Sequence, residues 1–177
     1  AVAQNHPAGL WVLTILYTGL RPGETAALFW EDIDFDRNEI HVYKAVESGT
    51  RTIKAPKTPA GIRDIPMRQE LRERLLAVRG EGTAPVFPSA NGGIRSANSL
   101  RRLWNSFAHA LDLHMGAKVR DGQILQHAIA PDLTPYCLRH TFCTDLQRAG
   151  VPINVAKELM GHANISVTAN IYTHRDQ

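Results

Sequence analysis

Five polar residues of this chain stand at the ends of predicted elements rather than on solvated faces. They are Arg21 in "GLRPGE", Lys57 in "KTPAG", Arg139 in "TPYCLRH", His162 after "LMG" and Tyr172 in "NIYTH". Element ends are where scaffolds usually present reactive groups. A guanidinium can hold an oxyanion in forked hydrogen bonds, an amine or imidazole can donate a proton, and a phenol hydroxyl can act as a nucleophile. Singly, each residue has a more ordinary role. Arg21 can cap a helix or pair with Glu24, and a turn lysine is usually solvated charge. His162 can hydrogen-bond a helix end, and Tyr172 can be a half-buried core side chain.

The elements that must position them follow from periodicity and punctuation. "PAGLWVLTILYT", residues 7–18, reads as a buried helix, and "GLRPGE" breaks it. Pro22 then suits the first turn of a helix reaching about residue 29. From residue 32 to 67 apolar and polar residues alternate, with turns at "DRN" and "KTPAG", which predicts a small antiparallel sheet of about three strands. Lys57 lies at the mouth of the second turn. "RQELRERLLAVRG" is an amphipathic helix stopped by Gly80, "APVFPSANGGIRS" reads as loop, and a further helix covers residues 98–113. Residues 115–132 carry no clear period. Helices follow over residues 138–149, 152–160 and 166–172, the first two stopped by Gly150 and Gly161. The fold class is α+β, mainly helical, with the sheet at one edge.

Composition bounds the function without naming it. At 177 residues, 44% hydrophobic and 21% charged, the chain is long enough and apolar enough for one packed domain. No apolar run approaches the roughly 20 residues that span a membrane. Cys137 and Cys143 are six apart in one helical stretch and face different ways, which fits a reducing cytoplasm. Net charge is only +3, although fifteen of the twenty cations are arginine. That permits a nucleic-acid partner without arguing for one. A chain beginning at Ala1 without Met reads as an excised fragment.

Taken in order, "TGLRPGE", "KTPAGIRDIP", "TPYCLRHTFCTDLQRAG" and "ELMGHANISVTANIYTH" closely resemble the tyrosine recombinases, or phage-integrase family. The wording is most similar to integrases of conjugative transposons and temperate phages. The resemblance covers residues 10–174 and implies the bundle-and-small-sheet catalytic domain of that family. It places Arg21 and Arg139 at the two catalytic arginines, with Glu24 as the supporting acid. Lys57 takes the catalytic lysine position, ahead of the competing Lys54, His162 the second histidine, and Tyr172 the nucleophile. His140 matches a histidine beside the second arginine, with a structural role. The family usually writes His-x-x-Arg where this chain has Tyr136-Cys137-Leu138-Arg139. A phenol keeps its proton at neutral pH. Tyr136 can therefore donate a hydrogen bond to phosphate or Tyr172, but it is a poor base.

The implied chemistry is cleavage and rejoining of DNA strands through a 3′-phosphotyrosyl link, in site-specific integration or excision of a mobile element. It agrees with what these side chains can do. Two guanidiniums can clamp the non-bridging oxygens of a pentacoordinate phosphorus, Tyr172 can attack in line, and Lys57 can protonate the leaving 5′-oxygen. Arginines in that role replace a metal, and the tyrosyl ester conserves the bond energy, so neither metal nor other cofactor is expected. His109 and His114, five apart, make a poor helical pair for a metal. Arg51, Arg63, Arg95, Arg101 and Arg102 are candidates for backbone phosphate contacts on double-stranded DNA. The resemblance further implies a homotetramer on DNA for a longer protein carrying an N-terminal DNA-clamping domain and a C-terminal tail. Residues 1–177 alone are then expected to be a monomeric catalytic domain. Chromosome-dimer resolution, a type IB topoisomerase-like activity, an inactive DNA-binding relative and a purely structural helical domain are the alternatives.

Overall fold

The computed structural model describes residues 1–47 and 49–173. After a short first helix, α1 (Val2–Asn5), comes α2 (Gly9–Thr18), the expected buried helix. Nearly every residue of α2 is apolar, so burial is not confined to one stripe. Its two threonines are fully buried, and each turns its hydroxyl back onto a carbonyl of its own helix: Thr14 to Leu10, 2.9 Å, and Thr18 to Thr14, 2.5 Å. Gly19 ends the helix at φ 64°, with its N–H on the Ile15 carbonyl. A Cβ there would come within 2.5 Å of the Phe142 ring, so glycine suits both the backbone and the packing.

Pro22 opens α3 (Pro22–Ala26), which stops three residues earlier than the pattern predicts. The chain instead extends to pair with residues 84–86. Val86 donates to the Leu28 carbonyl, Trp30 donates to that of Ala84, and Phe29 bridges Pro85. The "APVF" stretch thus acts as a partner for the end of α3, and the backbone bonds it offers outweigh one more helical turn.

The main sheet has three antiparallel strands, β1 (Ile33–Asp34), β2 (Glu39–Val42) and a strand over Arg63–Pro66, with β2 central. Ile40 faces Ile65 and both are fully buried, while Val42 faces Arg63. Between these strands the chain makes a separate two-stranded ribbon, β3 (Ala45–Val46) and β4 (Ile53–Lys54). The Arg63–Pro66 strand is therefore β5. One expectation is corrected here. Lys57 does not sit in a hairpin turn, because β4 pairs with β3 and β5 with β2. It lies on the β4–β5 connection, just before a single 3-10 turn over Pro59–Gly61.

Helix α4 (Gln69–Ala77) packs Leu71 and Leu75 into the core with Trp11, Ile15 and Leu20. The long α5 (Ala97–His114) is capped by the Ser96 hydroxyl and buries Leu100, Trp104 and Phe107 on one face. Residues 115–132 are not irregular throughout. They contain a hairpin, β6 (Lys118–Arg120) and β7 (Gln123–Gln126), turning through Asp121 and Gly122 at φ 51° and 77°. Paired positive φ angles at Asp-Gly are the signature of a two-residue hairpin turn. The hairpin is anchored by buried Asp112, which accepts hydrogen bonds from His127 (2.5 Å) and the backbone of Ala128 and Ile129. The chain ends in α6 (Pro135–Arg148), α7 (Ile153–Met160) and α8 (Ile165–Thr173). Helix α6 starts three residues before the expected point because Pro135 already serves its first turn. No helix among the described residues is long and apolar enough to cross a membrane.

Candidate active site

The C-termini of α2 and α7 meet at the centre of the site. Both end in a left-handed glycine, Gly19 and Gly161. The last carbonyls of a helix lack intrahelical partners and carry the negative end of its dipole. Arginines from elsewhere in the chain take those carbonyls. Arg139, in the first turns of α6, donates through Nη1 to Gly19 and through Nη2 to Met160. Arg21, at the N-cap of α3, donates through Nη2 to the Gly161 carbonyl at 3.0 Å. Three segments far apart in sequence are thereby pinned at one point.

Glu24 organises the second layer. It is 7% exposed and bonds Arg21 twice, at the backbone N–H (2.8 Å) and at Nη1 (2.8 Å). Its other partner is Arg63, which donates from Nη2 to Oε2 (2.9 Å) and from Nη1 to Oε1 (3.1 Å). Burial alone would raise the Glu24 pKa, but the hydrogen bonds and charge of Arg63, then Arg21, outweigh it and hold the carboxyl below its usual range. Arg63 also donates from Nε to the Leu159 carbonyl (2.8 Å) and is itself buried. This corrects its expected contact with DNA phosphate. Four of its five N–H groups are committed to Glu24, Gly61 and Leu159, and its side chain is 5% exposed, so it lies beneath the surface a phosphate would reach.

An open cleft of about 940 Å³ lies over this assembly, lined among others by Arg21, Tyr136, Arg139, His140 and His162. Arg139 is 5% exposed. Burial, then the positive charges of Arg21 and Arg63, pull its pKa down to about 9 against the opposing Glu24, so it stays cationic at neutral pH. His162 is 8% exposed, with Nδ1 2.9 Å from the Thr168 hydroxyl. Burial, then Arg139, Arg21 and Arg63, push its pKa down to about 4, so the imidazole is neutral. Tyr136 is half exposed at the start of α6 and also walls a second, mainly apolar groove of about 480 Å³. The polar groups that suit phosphate chemistry converge in the larger cleft, which is the candidate site.

Two expected members lie outside it. Tyr172 is half-buried in α8, and its hydroxyl donates to the Val151 carbonyl at 3.3 Å rather than lining the cleft. Burial, then Cys143, raise its pKa. Lys57 is exposed on the β4–β5 connection and does not line the cleft either. Of the remaining cations, Arg51 is exposed in the β3–β4 turn, and Arg101 and Arg102 are exposed on the first turns of α5. Arg95 is half-buried beside them and donates to Ser99 (3.0 Å) while its Nε has no partner. Sequence reasoning missed Thr168 as the partner of His162. Its place one helical turn before Tyr172 was visible, but its contact was not. Among the described residues no group of three His, Cys, Asp or Glu side chains is placed to hold a metal ion.

The sequence profile of the phage integrase family matches residues 4–177. This chain belongs to the phage integrase family. It is 33% identical to the tyrosine recombinase XerC-like protein of Caldanaerobacter subterraneus subsp. tengcongensis, over 97% of this chain and 46% of that protein. It is 30% identical to the transposase from transposon Tn916 of Enterococcus faecalis, over 92% of this chain and 41% of that protein. Among solved structures, the Tn1549 transposon integrase in complex with circular intermediate DNA superposes with a TM-score of 0.74 at 28% identity, covering 94% of this chain and 55% of that one. The chain thus spans about half the length of the phage integrase family relatives it matches. The helical fold with small antiparallel sheets is that of the family's catalytic domains.

Proposed function

We propose that residues 1–177 form the catalytic domain of a site-specific recombinase that cleaves and rejoins double-stranded DNA through a 3′-phosphotyrosyl intermediate. The observation that carries this reading is the convergence of Arg21, Arg139 and neutral His162 on one open cleft, over a buried carboxylate that holds Arg21 in place. The scissile phosphate binds between the two guanidiniums. Each has N–H groups left after its protein contacts, since a guanidinium carries five and Arg139 uses two on Gly19 and Met160. Fixed donors aimed at oxygens where charge develops lower the barrier without reorganising. Tyr172 leaves the Val151 carbonyl and attacks phosphorus, its phenolic proton passing to solvent water in the open cleft. The P–O5′ bond breaks, and Lys57 supplies the proton to the leaving oxygen. Both residues must move toward the cleft on DNA binding: α8 carries one and the β4–β5 connection the other. Rejoining reverses these steps with a different 5′-hydroxyl, so no nucleotide cofactor enters.

Similarity to the Tn916 transposase and the Tn1549 integrase supports integration or excision of a mobile element as the role. Similarity to the XerC-like tyrosine recombinase favours resolution of chromosome dimers as the second reading. A longer protein is inferred to act as a homotetramer on DNA, with the remaining half of its length supplying further DNA and protomer contacts. The deciding experiment is incubation with supercoiled plasmid in EDTA without ATP, for this chain alone and joined to an N-terminal DNA-clamping domain. Relaxation and protein-linked DNA, both lost in Tyr172→Phe, are expected. DNA binding with neither, by the extended protein, would count against strand cleavage.

A further inference from the structure

We propose that Thr168 is a positioning residue for this reaction: its hydroxyl donates to Nδ1 of His162 and so locks the imidazole in the tautomer that carries its proton on Nε2, toward the cleft. The inference rests on the strand-cleavage reading for its purpose, but not for its geometry. Thr168 is fully buried on α8, and its Oγ1 lies 2.9 Å from Nδ1. A hydroxyl has one proton to give and can accept as well, whereas a neutral imidazole has one donor nitrogen and one acceptor. If Nδ1 carried the proton, the Thr168 hydroxyl would accept it and its own hydrogen would need a second partner inside the protein. Helical threonines ordinarily find one four residues back. In this chain Thr14, Thr18, Thr141 and Thr144 all donate to that carbonyl. Thr168 does not. Its residue four back is Asn164, just before α8 begins at Ile165, and the hydroxyl points at His162 instead. Donation from Thr168 to Nδ1 satisfies both groups, and the proton then sits on Nε2.

The surroundings decide what that tautomer is for. Arg139, Arg21 and Arg63 all bear on the ring, and together with burial they keep it from taking a second proton. His162 is therefore an uncharged donor beside two cationic ones, aimed at a phosphoryl oxygen, and its Nε2 is not available as a base toward Tyr172. Thr168 also lies one helical turn before Tyr172 on α8. The same hydroxyl thus ties the imidazole at the end of α7 to the helix that carries the nucleophile.

The test reads the ring directly. In the histidine nitrogen spectrum of the labelled chain, assigned by comparison with His162→Gln, the wild type is expected to show Nδ1 as acceptor and Nε2 protonated. Thr168→Ser should keep that pattern. Thr168→Val, which retains the shape without the hydroxyl, should lose it. Plasmid relaxation should be near wild type in Thr168→Ser and lower by about tenfold or more in Thr168→Val, with DNA affinity unchanged. A wild-type proton on Nδ1 would overturn the proposal whether or not the valine variant folds. So would wild-type relaxation by a folded Thr168→Val. The Nε2 tautomer in the wild type and Thr168→Ser but not in Thr168→Val, together with no relaxation by an extended protein that binds DNA, would support the lock and overturn the strand-cleavage reading it serves. An Nε2 tautomer that persists in Thr168→Val would overturn the lock.

Discussion

Burial separates residues that the sequence presents as equals. Arg21 and Arg139 are both arginines at helix starts, yet the Arg21 side chain is 36% exposed and Arg139 is 5% exposed. Arg139 therefore carries the larger structural load, since it bridges the ends of α2 and α7, whereas Arg21 reaches the end of α7 and Glu24. Lysine carries the charge but cannot fork between two carbonyls and a phosphate. Arg139→Lys is expected to lower strand cleavage by about 10²-fold or more and to destabilise the fold by about 2 kcal/mol. Arg21→Lys should lose a similar factor in cleavage with little change in urea midpoint. His162 gives a pH test. Its folded pKa, about 4, lies below the usual 6.5, so the unfolded chain binds a proton that the native chain refuses between those values. That contribution to stability is present above pH 6.5 and lost as pH falls toward 4, amounting to at most about 3 kcal/mol. Urea titrations at pH 7 and pH 4.5 should show a smaller acid loss in His162→Gln than in the wild type.

At the scale of elements, Glu24 joins α3 to β5 through Arg63, and Arg63 joins β5 to the end of α7. The Arg63 side chain is 5% exposed and that of Glu24 7%. Removing one partner of such a pair strands the other charge, which costs about 3–5 kcal/mol. Glu24→Gln and Arg63→Met should each destabilise by about that amount in urea unfolding. The double variant should lose less than the sum, because neither charge is left behind. The β6–β7 hairpin was hidden for a definable reason. Its residues are exposed or half-exposed, so neither face alternates, and only Asp121-Gly122 marks the turn. His127 fastens its far end to buried Asp112. His127→Ala should speed amide exchange across residues 118–129 while leaving α2 and β2 protected.

Across the whole molecule, α5 turns Leu100, Trp104 and Phe107 into the core and its cations outward, and the open cleft lies over the joined ends of α2 and α7. Arg101 and Arg102 are exposed on α5, whereas Arg63 is buried under the site. If both α5 arginines touch backbone phosphate, each glutamine substitution should weaken binding to non-cognate duplex. Each should also reduce the slope of log affinity against log salt by about 0.9. Arg63→Met should leave that slope unchanged once folded protein is selected. The distance between the proposed nucleophile and its cleft is also a property of the whole fold. Tyr172 bonds Val151 in the α6–α7 connection, so attack on a phosphate requires the last turn of α8 to move while Thr168, in its first turn, stays on His162.

The sequence alone determined the helical order, the breaks at Gly19, Gly150 and Gly161, the main sheet and the family motif, because these depend on local periodicity and backbone limits. It also named Arg21, Arg139 and His162, which line one cleft, and Glu24, which lies buried beneath it on Arg21. Which cation is buried was beyond it. Arg63 and Arg101 look alike along the chain, and only the crossing of β5 over the end of α7 commits one of them to Glu24 and Leu159. Nor could it say that Lys57 sits between strands of different sheets, that Tyr172 turns to Val151, or that Thr168 faces His162. Those are contacts between segments distant in space or turned by helix register. The carbonyls that accept from Arg21 and Arg139 are backbone atoms that any sequence would carry. Tertiary packing decided them by bringing two helix C-termini together where their unpaired carbonyls needed donors.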